Sequence, residues 1–162
     1  MVRLSVRLAT LADAEALAHC HVACWVEAYG GLVPAEVLNA RTADREAQRA
    51  RWAAALQGDS RTWVAVVAAE VVGFASAGPP RDDELAHLVE LYALYIRARA
   101  YGSGLADQLA NAALAREAAY LWVLAANPRA QAYYRKLGFR HDGHTKRDPR
   151  LGGVLETRMI RA

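Results

Sequence analysis

The sequence is poor in residue types that would point to particular classes of protein. Its 162 residues include only two cysteines, Cys20 and Cys24, and their separation of four positions in a predicted helix is no disulfide framework. Lysine is equally rare, with Lys136 and Lys146 as its only examples, so the positive charge is nearly all arginine. No run of basic residues stands out and the net charge is +3. The composition therefore does not demand a nucleic-acid partner.

Long apolar runs are also absent. No stretch approaches the roughly 20 residues that a membrane-spanning helix needs, and the N-terminus alternates like a strand instead of carrying the apolar core of a signal peptide. No repeat, low-complexity tract or long linker divides the chain, and its 54% hydrophobic content argues against disorder. We therefore expect one domain over residues 1–162, located in the cytoplasm and without a membrane partner.

Hydrophobic periodicity and turn residues predict a mixed α/β sheet. Strands are predicted at 5–8, 62–67, 71–77, 85–96, 120–124, 139–144 and 154–160. Helices are predicted from Thr10 to Gly30, from Pro34, at 42–56, at 105–118 and at 128–137. The strands at 85–96 and 120–124 are joined through a helix, which predicts that these two central strands run parallel.

The segment Leu94–Ala106 carries the clearest chemical signal. An apolar strand leads through Gly102 and Gly104 into the start of a helix, where unpartnered backbone N–H groups and the helix dipole favour an anion. A dinucleotide-binding turn fits poorly, since the glycines come late in the chain and Asn127 and Pro128, not an acidic residue, follow the next strand.

Two motifs resemble a known family. The pattern Arg99-x-x-Gly102-x-Gly104 is similar to the Arg/Gln-x-x-Gly-x-Gly/Ala signature of the GNAT superfamily of acetyl-CoA-dependent N-acetyltransferases. The segment Asn127–Phe139 resembles that superfamily's Asn-x-x-Ala-x-x-Phe/Tyr-Tyr-x-x-x-Gly-Phe motif. The predicted order of elements agrees with the resemblance over nearly the whole chain. Ala98, Tyr101, Ser103 and Ala106 depart from the residues that are common at these positions in the superfamily, and none of these departures removes the backbone amides of the turn.

The resemblance implies an α/β (α+β) fold. It would contain a mixed, mostly antiparallel sheet of about seven strands, with a central splayed parallel pair and about four flanking helices. It also implies transfer of an acetyl group from acetyl-CoA to a primary amine, by direct attack in a ternary complex and without a metal. The acceptor would be a small-molecule or peptide amine. The closing strands support dimers in relatives, so a homodimer is a further expectation.

The resemblance further implies a set of donor contacts. The pantetheine arm would pair with the splayed strand near Leu94, Tyr95 and Ile96, and Asn127 would hydrogen-bond this arm. The pyrophosphate would bind the backbone N–H groups of the glycine turn, with charge added by Arg97 or Arg99. The amides of that turn belong to Gly102, Ser103, Gly104, Leu105 and Ala106.

Chemistry requires a base for the amine and a proton donor for the departing thiolate. Glu90, on the strand that leads to the donor, is the candidate base, and Tyr134 is the candidate donor near the sulfur. Trp25 and Tyr29, four residues apart on a helix, are candidates for the acceptor pocket. Simpler structural interpretations stay open: Glu90 as a solvated strand residue, Asn127 as a helix cap alone, and Trp25 and Tyr29 as core residues.

Two other functions stay open. A catalytically inactive acyl-CoA-binding or regulatory module would keep the glycine turn and lack a working base. A basic nucleic-acid-binding domain would use the arginines. The cluster of His19, Cys20, His21 and Cys24 has the spacing of metal ligands on one helix face, but no second ligand pair accompanies it. We therefore expect no metal.

Overall fold

The computed structural model describes residues 3–162 and contains one seven-stranded sheet with the order β1-β2-β3-β4-β5-β7-β6. The strands are β1 (Leu4–Leu8), β2 (Arg61–Val67), β3 (Glu70–Gly78), β4 (Val89–Ile96), β5 (Ala119–Leu124), β6 (Arg140–Asp148) and β7 (Val154–Arg161). The helices are α1 (Ala14–Tyr29), α2 (Ala35–Thr42), α3 (Arg45–Leu56), α4 (Leu105–Leu114) and α5 (Pro128–Lys136). The predicted domain 1–162 thus includes two residues, 1 and 2, that lie outside the described part.

The two central strands are paired over a short distance only. Strands β4 and β5 run parallel and pair at Val89 with Ala119 and at Glu90 with Tyr120, and every other strand pair is antiparallel. From Leu91 onward the described residues of β4 have no partner in β5. The strands therefore diverge and leave a wedge open in the middle of the sheet.

A β-bulge in β4 lies at the start of this wedge. Ser76 of β3 pairs with Ala93 and Ala77 pairs with Leu91, so Tyr92 is the extra residue of β4. A bulge bends its strand and increases the local twist. The bend coincides with the point at which β4 leaves β5.

Helices cover both faces of the sheet. Helices α1 and α3 pack on one face against the buried side chains of Val64 and Phe74. Helix α4 packs on the opposite face, where its fully buried Leu105 and Leu109 contact the neighbouring alanines and leucines of the sheet. Residues 64 and 65, successive on β2, belong to different cores because side chains alternate across a strand.

The expected fold class is confirmed, with five α-helices where about four were expected. The helix predicted at 42–56 begins at Arg45, because the Asp44 side chain accepts a hydrogen bond from the Ala47 N–H and caps it, and Thr42 is the last residue of α2. Helix α4 ends at Leu114 instead of near Ala118, because the next residue, Ala115, leaves the helical conformation with a positive φ of 48°. Strand β4 begins at Val89 instead of Leu85, because a 3-10 turn precedes it. In the part of the chain described, no helix is long and apolar enough to span a membrane.

Candidate active site

A cavity of about 590 Å³ occupies the wedge between β4 and β5. On the face of α4 and α5 it is lined by the glycine turn and by residues of α5, and on the other face by the end of α1 and by one residue of β7. The cavity thus passes through the sheet and reaches both of its faces. Two reactants approaching from opposite faces can meet in such a space.

The glycine turn forms the mouth of the cavity on the α4 face. Gly102 and Gly104 have φ values of 75° and 83°, which side chains with a Cβ rarely adopt. The first intrahelical hydrogen bond of α4 runs from Gln108 N–H to the Gly104 carbonyl, so the amides of Ala106 and Asp107 precede the hydrogen-bonded ladder. Apart from the adjoining residues of the chain, no described atom lies within 4 Å of the position that a Cβ would take on either glycine. The turn therefore offers amides and open space to an anion.

The predicted residues around this turn contribute unequally. Gly102, Gly104 and Ala106 line the cavity, as do Leu94, Tyr95 and Ile96 of β4. Leu105 is fully buried in the core, and its N–H bonds the Ser103 hydroxyl at 3.3 Å. Ser103 thus holds the turn through its side chain and does not line the cavity.

The two predicted phosphate-binding arginines have other partners. Arg97 donates to the Glu27 carboxylate at 2.9 Å, and Arg99 forms an ion pair with Glu70. Neither side chain lines the cavity. Arg129, at the start of α5, lines it instead and lies 3.9 Å from the centre of the Tyr101 ring. The sequence interpretation missed Arg129 because it belongs to the second motif and approaches the turn only in the folded chain.

Helix α5 brings two predicted residues to the cavity. The Asn127 side chain caps the helix by accepting a hydrogen bond from the Ala130 N–H at 3.1 Å, and Asn127 also lines the cavity. Tyr134 lines the same cavity and packs edge-on against Phe139. Burial raises the pKa of Tyr134 well above its ordinary value, with a smaller contribution from Tyr29, so its hydroxyl keeps its proton.

Three aromatic residues form a hydrogen-bonded group on the opposite face. The Tyr29 and Tyr95 hydroxyls are 2.6 Å apart, and the Trp25 indole N–H donates to the Tyr95 hydroxyl at 3.1 Å. Tyr29 lines the cavity, whereas Trp25 lies behind it and orients Tyr95. Burial is the main cause that raises the pKa of Tyr29 to about 12. Of the two residues predicted for the acceptor pocket, Tyr29 therefore lines the cavity, whereas Trp25 supports the cavity residue Tyr95 from behind.

The structure does not bring Glu90 to the cavity. Its carboxylate is buried and accepts hydrogen bonds from the Arg81 backbone and guanidinium and from the Tyr120 hydroxyl. Glu90 lies where β4 and β5 are still paired, before the wedge opens. The bulge at Tyr92 also breaks the regular alternation of side chains between Glu90 and the cavity residue Leu94. Glu90 holds the loop after β3 and does not reach the reacting groups in this geometry.

Glu156 of β7 is a cavity residue that the sequence interpretation missed. It pairs directly with Leu124 of β5, and both residues line the cavity. Burial is the largest cause that raises the pKa of the Glu156 carboxyl. No motif marks this position, because its neighbours come from separate parts of the chain.

The cysteine and histidine cluster of α1 belongs to the core. Cys20 and Cys24 are buried with their sulfur atoms 3.9 Å apart. The His21 ring packs among aromatic rings, and burial lowers its pKa to about 4. Among residues 3–162, no group of three or more candidate ligands is arranged to hold a metal ion.

The sequence from residue 16 to residue 139 matches the acetyltransferase (GNAT) family model. The chain belongs to the acetyltransferase (GNAT) family. This confirms the resemblance carried by the two motifs, and the glycine turn and α5 of this GNAT chain are the elements in which those motifs lie. No curated protein gives a significant match to the sequence.

Solved structures resemble the GNAT fold of this chain along its length. The PaiA N-acetyltransferase of Thermoplasma acidophilum, in complex with coenzyme A, has a TM-score of 0.73 at 17% identity, with 98% of each chain covered. The putative acetyltransferase YncA of Salmonella typhimurium, with acetyl-CoA, has a TM-score of 0.71 at 19% identity over 98% of this chain and 92% of its own. A GCN5-related N-acetyltransferase from Rhodopseudomonas palustris has a TM-score of 0.74 at 21% identity, over 98% of this chain and 94% of its own. At these identities, the likeness shows the fold.

Proposed function

We propose that this GNAT protein transfers the acetyl group of acetyl-CoA to a primary amine. The observation that carries the proposal is a cavity that opens on both faces of the sheet. Its mouth on the α4 face has the amides and glycine turn that suit a pyrophosphate, and its other end has hydroxyl and carboxylate groups that suit an amine. The family membership supports the acetyl transfer.

The donor site fits an acetyl-CoA molecule in three respects. The amides of Gly104 and Ala106 belong to a helix N-terminus, which favours the negative pyrophosphate. The unpaired edge of β4 along Leu94–Ile96 can receive an amide-containing arm as an added strand. Arg129 adds positive charge at the same mouth. PaiA and YncA, with coenzyme A and acetyl-CoA respectively, have the same fold and lend support to this assignment.

When bound, acetyl-CoA supplies an acetyl group activated as a thioester. Tyr134 contributes the proton that the departing sulfur requires. Its raised pKa keeps the hydroxyl protonated at neutral pH, and a neutral hydroxyl can donate where a tyrosinate cannot. Asn127 holds the end of α5 in place and positions Tyr134 along with it.

Direct transfer between the two substrates is the mechanism that the cavity supports. None of the described residues that line it is a cysteine or a serine, the side chains that most often carry an acyl group. An acceptor that enters from the face of Tyr29 can reach a thioester that enters from the face of Gly104. Both substrates would then be bound together before transfer.

A thiol-release assay tests this function. Acetyl-CoA is mixed with the protein and with single amines: benzylamine, spermidine, glycinamide, kanamycin and a short peptide with a free N-terminus. We expect thiol release that depends on the amine, together with an acetylated product identified by mass spectrometry. Tight acetyl-CoA binding without turnover across the panel would contradict the proposal and favour a binding module.

A further inference from the structure

Glu156 occupies a distinctive place at the cavity. Its partner in the sheet is Leu124, and the two residues line the end of the cavity that Tyr29 also lines. The Glu156 side chain is 13% exposed. A carboxylate with so little contact with water needs hydrogen-bond donors or a positive charge nearby.

The described structure supplies little of either. Lys146 is the one ion-pair partner of Glu156 within residues 3–162, at 3.9 Å, and no hydrogen bond to its carboxylate is formed there. The other largely buried carboxylates are much better paired. Glu90 accepts from Arg81 and Tyr120, and Asp148 accepts two hydrogen bonds from the Arg150 guanidinium. Glu156 is thus a carboxylate without a hydrogen-bond donor from the described residues, and its oxygens stay accessible to a molecule in the cavity.

Burial and the charges around Glu156 together raise the pKa of its carboxyl. Burial raises its pKa most, the cation of Lys146 lowers it, and Asp148 raises it, while Arg150 and Arg81 lower it by smaller amounts. Tyr29 also faces Glu156, whose charge contributes to the raised pKa of that tyrosine. A carboxyl with a raised pKa is a better proton acceptor than one in water.

The neighbouring surface already accommodates an ammonium group. The Lys146 nitrogen lies 4.2 Å from the centre of the Trp122 ring, in a cation–π contact, as well as near Glu156. Lys146 is 43% exposed and extends from β6, a strand at the edge of the sheet. The chain's own lysine therefore shows the kind of group that this corner binds.

We propose that Glu156 receives the acceptor as an ammonium ion on the face of the sheet opposite to the glycine turn, and takes its proton. This inference rests on the proposed function. The N–H bond of the ammonium breaks as the proton passes to a Glu156 oxygen, which leaves the nitrogen lone pair free to attack. When the C–N bond forms and the C–S bond breaks, Tyr134 gives its proton to sulfur and regains one from nitrogen. Glu156 then releases its proton to solvent.

The acceptor class follows from this chemistry. The carboxylate of Glu156 attracts an amine that is cationic at neutral pH and repels an acceptor with a carboxylate beside its amino group. We therefore expect benzylamine or glycinamide to react faster than glycine. The preference reflects the charge of the acceptor more than its length.

The decisive test compares two amines in the Glu156→Gln variant. Benzylamine is a cation at neutral pH, and 2,2,2-trifluoroethylamine is largely neutral. We expect kcat/KM for benzylamine to fall at least about 100-fold, the lower end of the contribution of a general base, and kcat/KM for trifluoroethylamine to fall much less. The assignment would be overturned if kcat/KM fell equally for both amines in the variant, or if it did not fall for benzylamine. It would also be overturned if the wild-type protein acetylated other amines but not benzylamine.

The control is Glu46→Gln, since Glu46 lies on the surface of α3 with a side chain that is 84% exposed. This variant should match the wild-type rates. Acetyl-CoA affinity, measured by calorimetry, should be equal in all three proteins. If the wild-type chain acetylates no amine at all, the proposed function itself is wrong. If the wild-type chain is active and Glu156→Gln keeps the same rate, only the role of Glu156 is wrong.

A second variant, Lys146→Met, gives a pH readout that a structural role would not move. The Lys146 cation lowers the pKa of Glu156. Its removal should raise that pKa, so the acid limb of kcat/KM against pH should move to higher pH, because Glu156 must be ionised to accept a proton. An acid limb that stays in place would show that Glu156 is not the group that titrates.

Discussion

On the face of α4 and α5, the mouth of the cavity adds main-chain groups to side chains such as Arg129 and Tyr134, because the amides of Gly104 and Ala106 lie before the first hydrogen bond of the helix. On the face of α1, the cavity is lined by the side chains of Tyr29, Tyr95 and Glu156. Main-chain groups bind the same ligand chemistry whatever side chains surround them. Side chains can be replaced one at a time, so the second face can change its ligand while the first keeps its own.

The largest loss of turnover should come from Tyr134→Phe. The variant removes the proposed proton donor and keeps the aromatic ring, so kcat should fall about 100-fold while the affinity for acetyl-CoA stays the same. Steady-state kinetics and calorimetry check the two quantities. Tyr120→Phe is the matched control, because it removes a buried hydroxyl away from the cavity and should lower stability without a similar fall in kcat. Wild-type turnover in Tyr134→Phe would refute the role.

A smaller effect, on binding, should come from Gly104→Ala. An alanine at a φ of 83° is strained by roughly 1–2 kcal/mol, and relief of that strain would turn the amides away from the pyrophosphate. We expect the Kd for acetyl-CoA to rise about tenfold, the equivalent of about 1.4 kcal/mol. Gly143→Ala introduces similar strain at a φ of 88° in β6, also with no atom close by. The Gly143→Ala variant should be less stable and should keep the wild-type Kd for acetyl-CoA. An equal loss of affinity in the two variants would show that strain at Gly104 does not act on the binding site directly.

Arg129→Ala should have a weaker effect on the same face. Arg129 is an exposed cation at the mouth of the cavity, and exposed charges contribute about 0.2–1 kcal/mol. The Kd for acetyl-CoA should therefore rise about two- to fivefold at low salt, and less at high salt because ions screen the charge. In Arg99→Ala the lost charge is one already paired with Glu70, so the Kd should hardly change. A larger effect of Arg99→Ala than of Arg129→Ala would reverse the assignment.

The smallest effect on catalysis should come from Glu90→Gln. Its carboxylate binds Arg81 and Tyr120 outside the cavity, so kcat should be close to that of the wild type. The free energy of unfolding should fall by about 1–3 kcal/mol, because a buried, charged hydrogen-bond acceptor is replaced by a neutral one. Denaturant unfolding measures the loss. A marked fall in kcat at unchanged stability would show that Glu90 takes part in catalysis.

The α4 face was the easier one to predict, because its essential groups are consecutive in sequence. Gly102 and Gly104 lie between a strand and a helix, and the turn that they form depends on local backbone conformation alone. The arginine side chains that add positive charge to this site were harder to predict. Arg97 and Arg99 are compensated by Glu27 and Glu70, which are distant in sequence and meet them only after folding.

The α1 face was hard to predict because its geometry depends on sheet register. The bulge at Tyr92 and the point where β4 leaves β5 decide which residues of β4 reach the cavity, and regular alternation shows neither. The sequence therefore points to Glu90, although this residue lies where the strands are still paired. Glu156 was missed because its neighbours, Leu124, Lys146 and Tyr29, come from three different elements.

The short ladder between β4 and β5 also makes this sheet mechanically uneven. Two paired positions, Val89 with Ala119 and Glu90 with Tyr120, join its halves in the described residues, whereas the neighbouring strands are paired along most of their length. Bending is easiest along the line with the fewest bonds, and a displacement about a pivot grows with distance from it. A small rotation at these two pairs would therefore move Ile96 and Leu124 the most. The width of the cavity between β4 and β5 is therefore most sensitive to the two pairs at the opposite end of the strands.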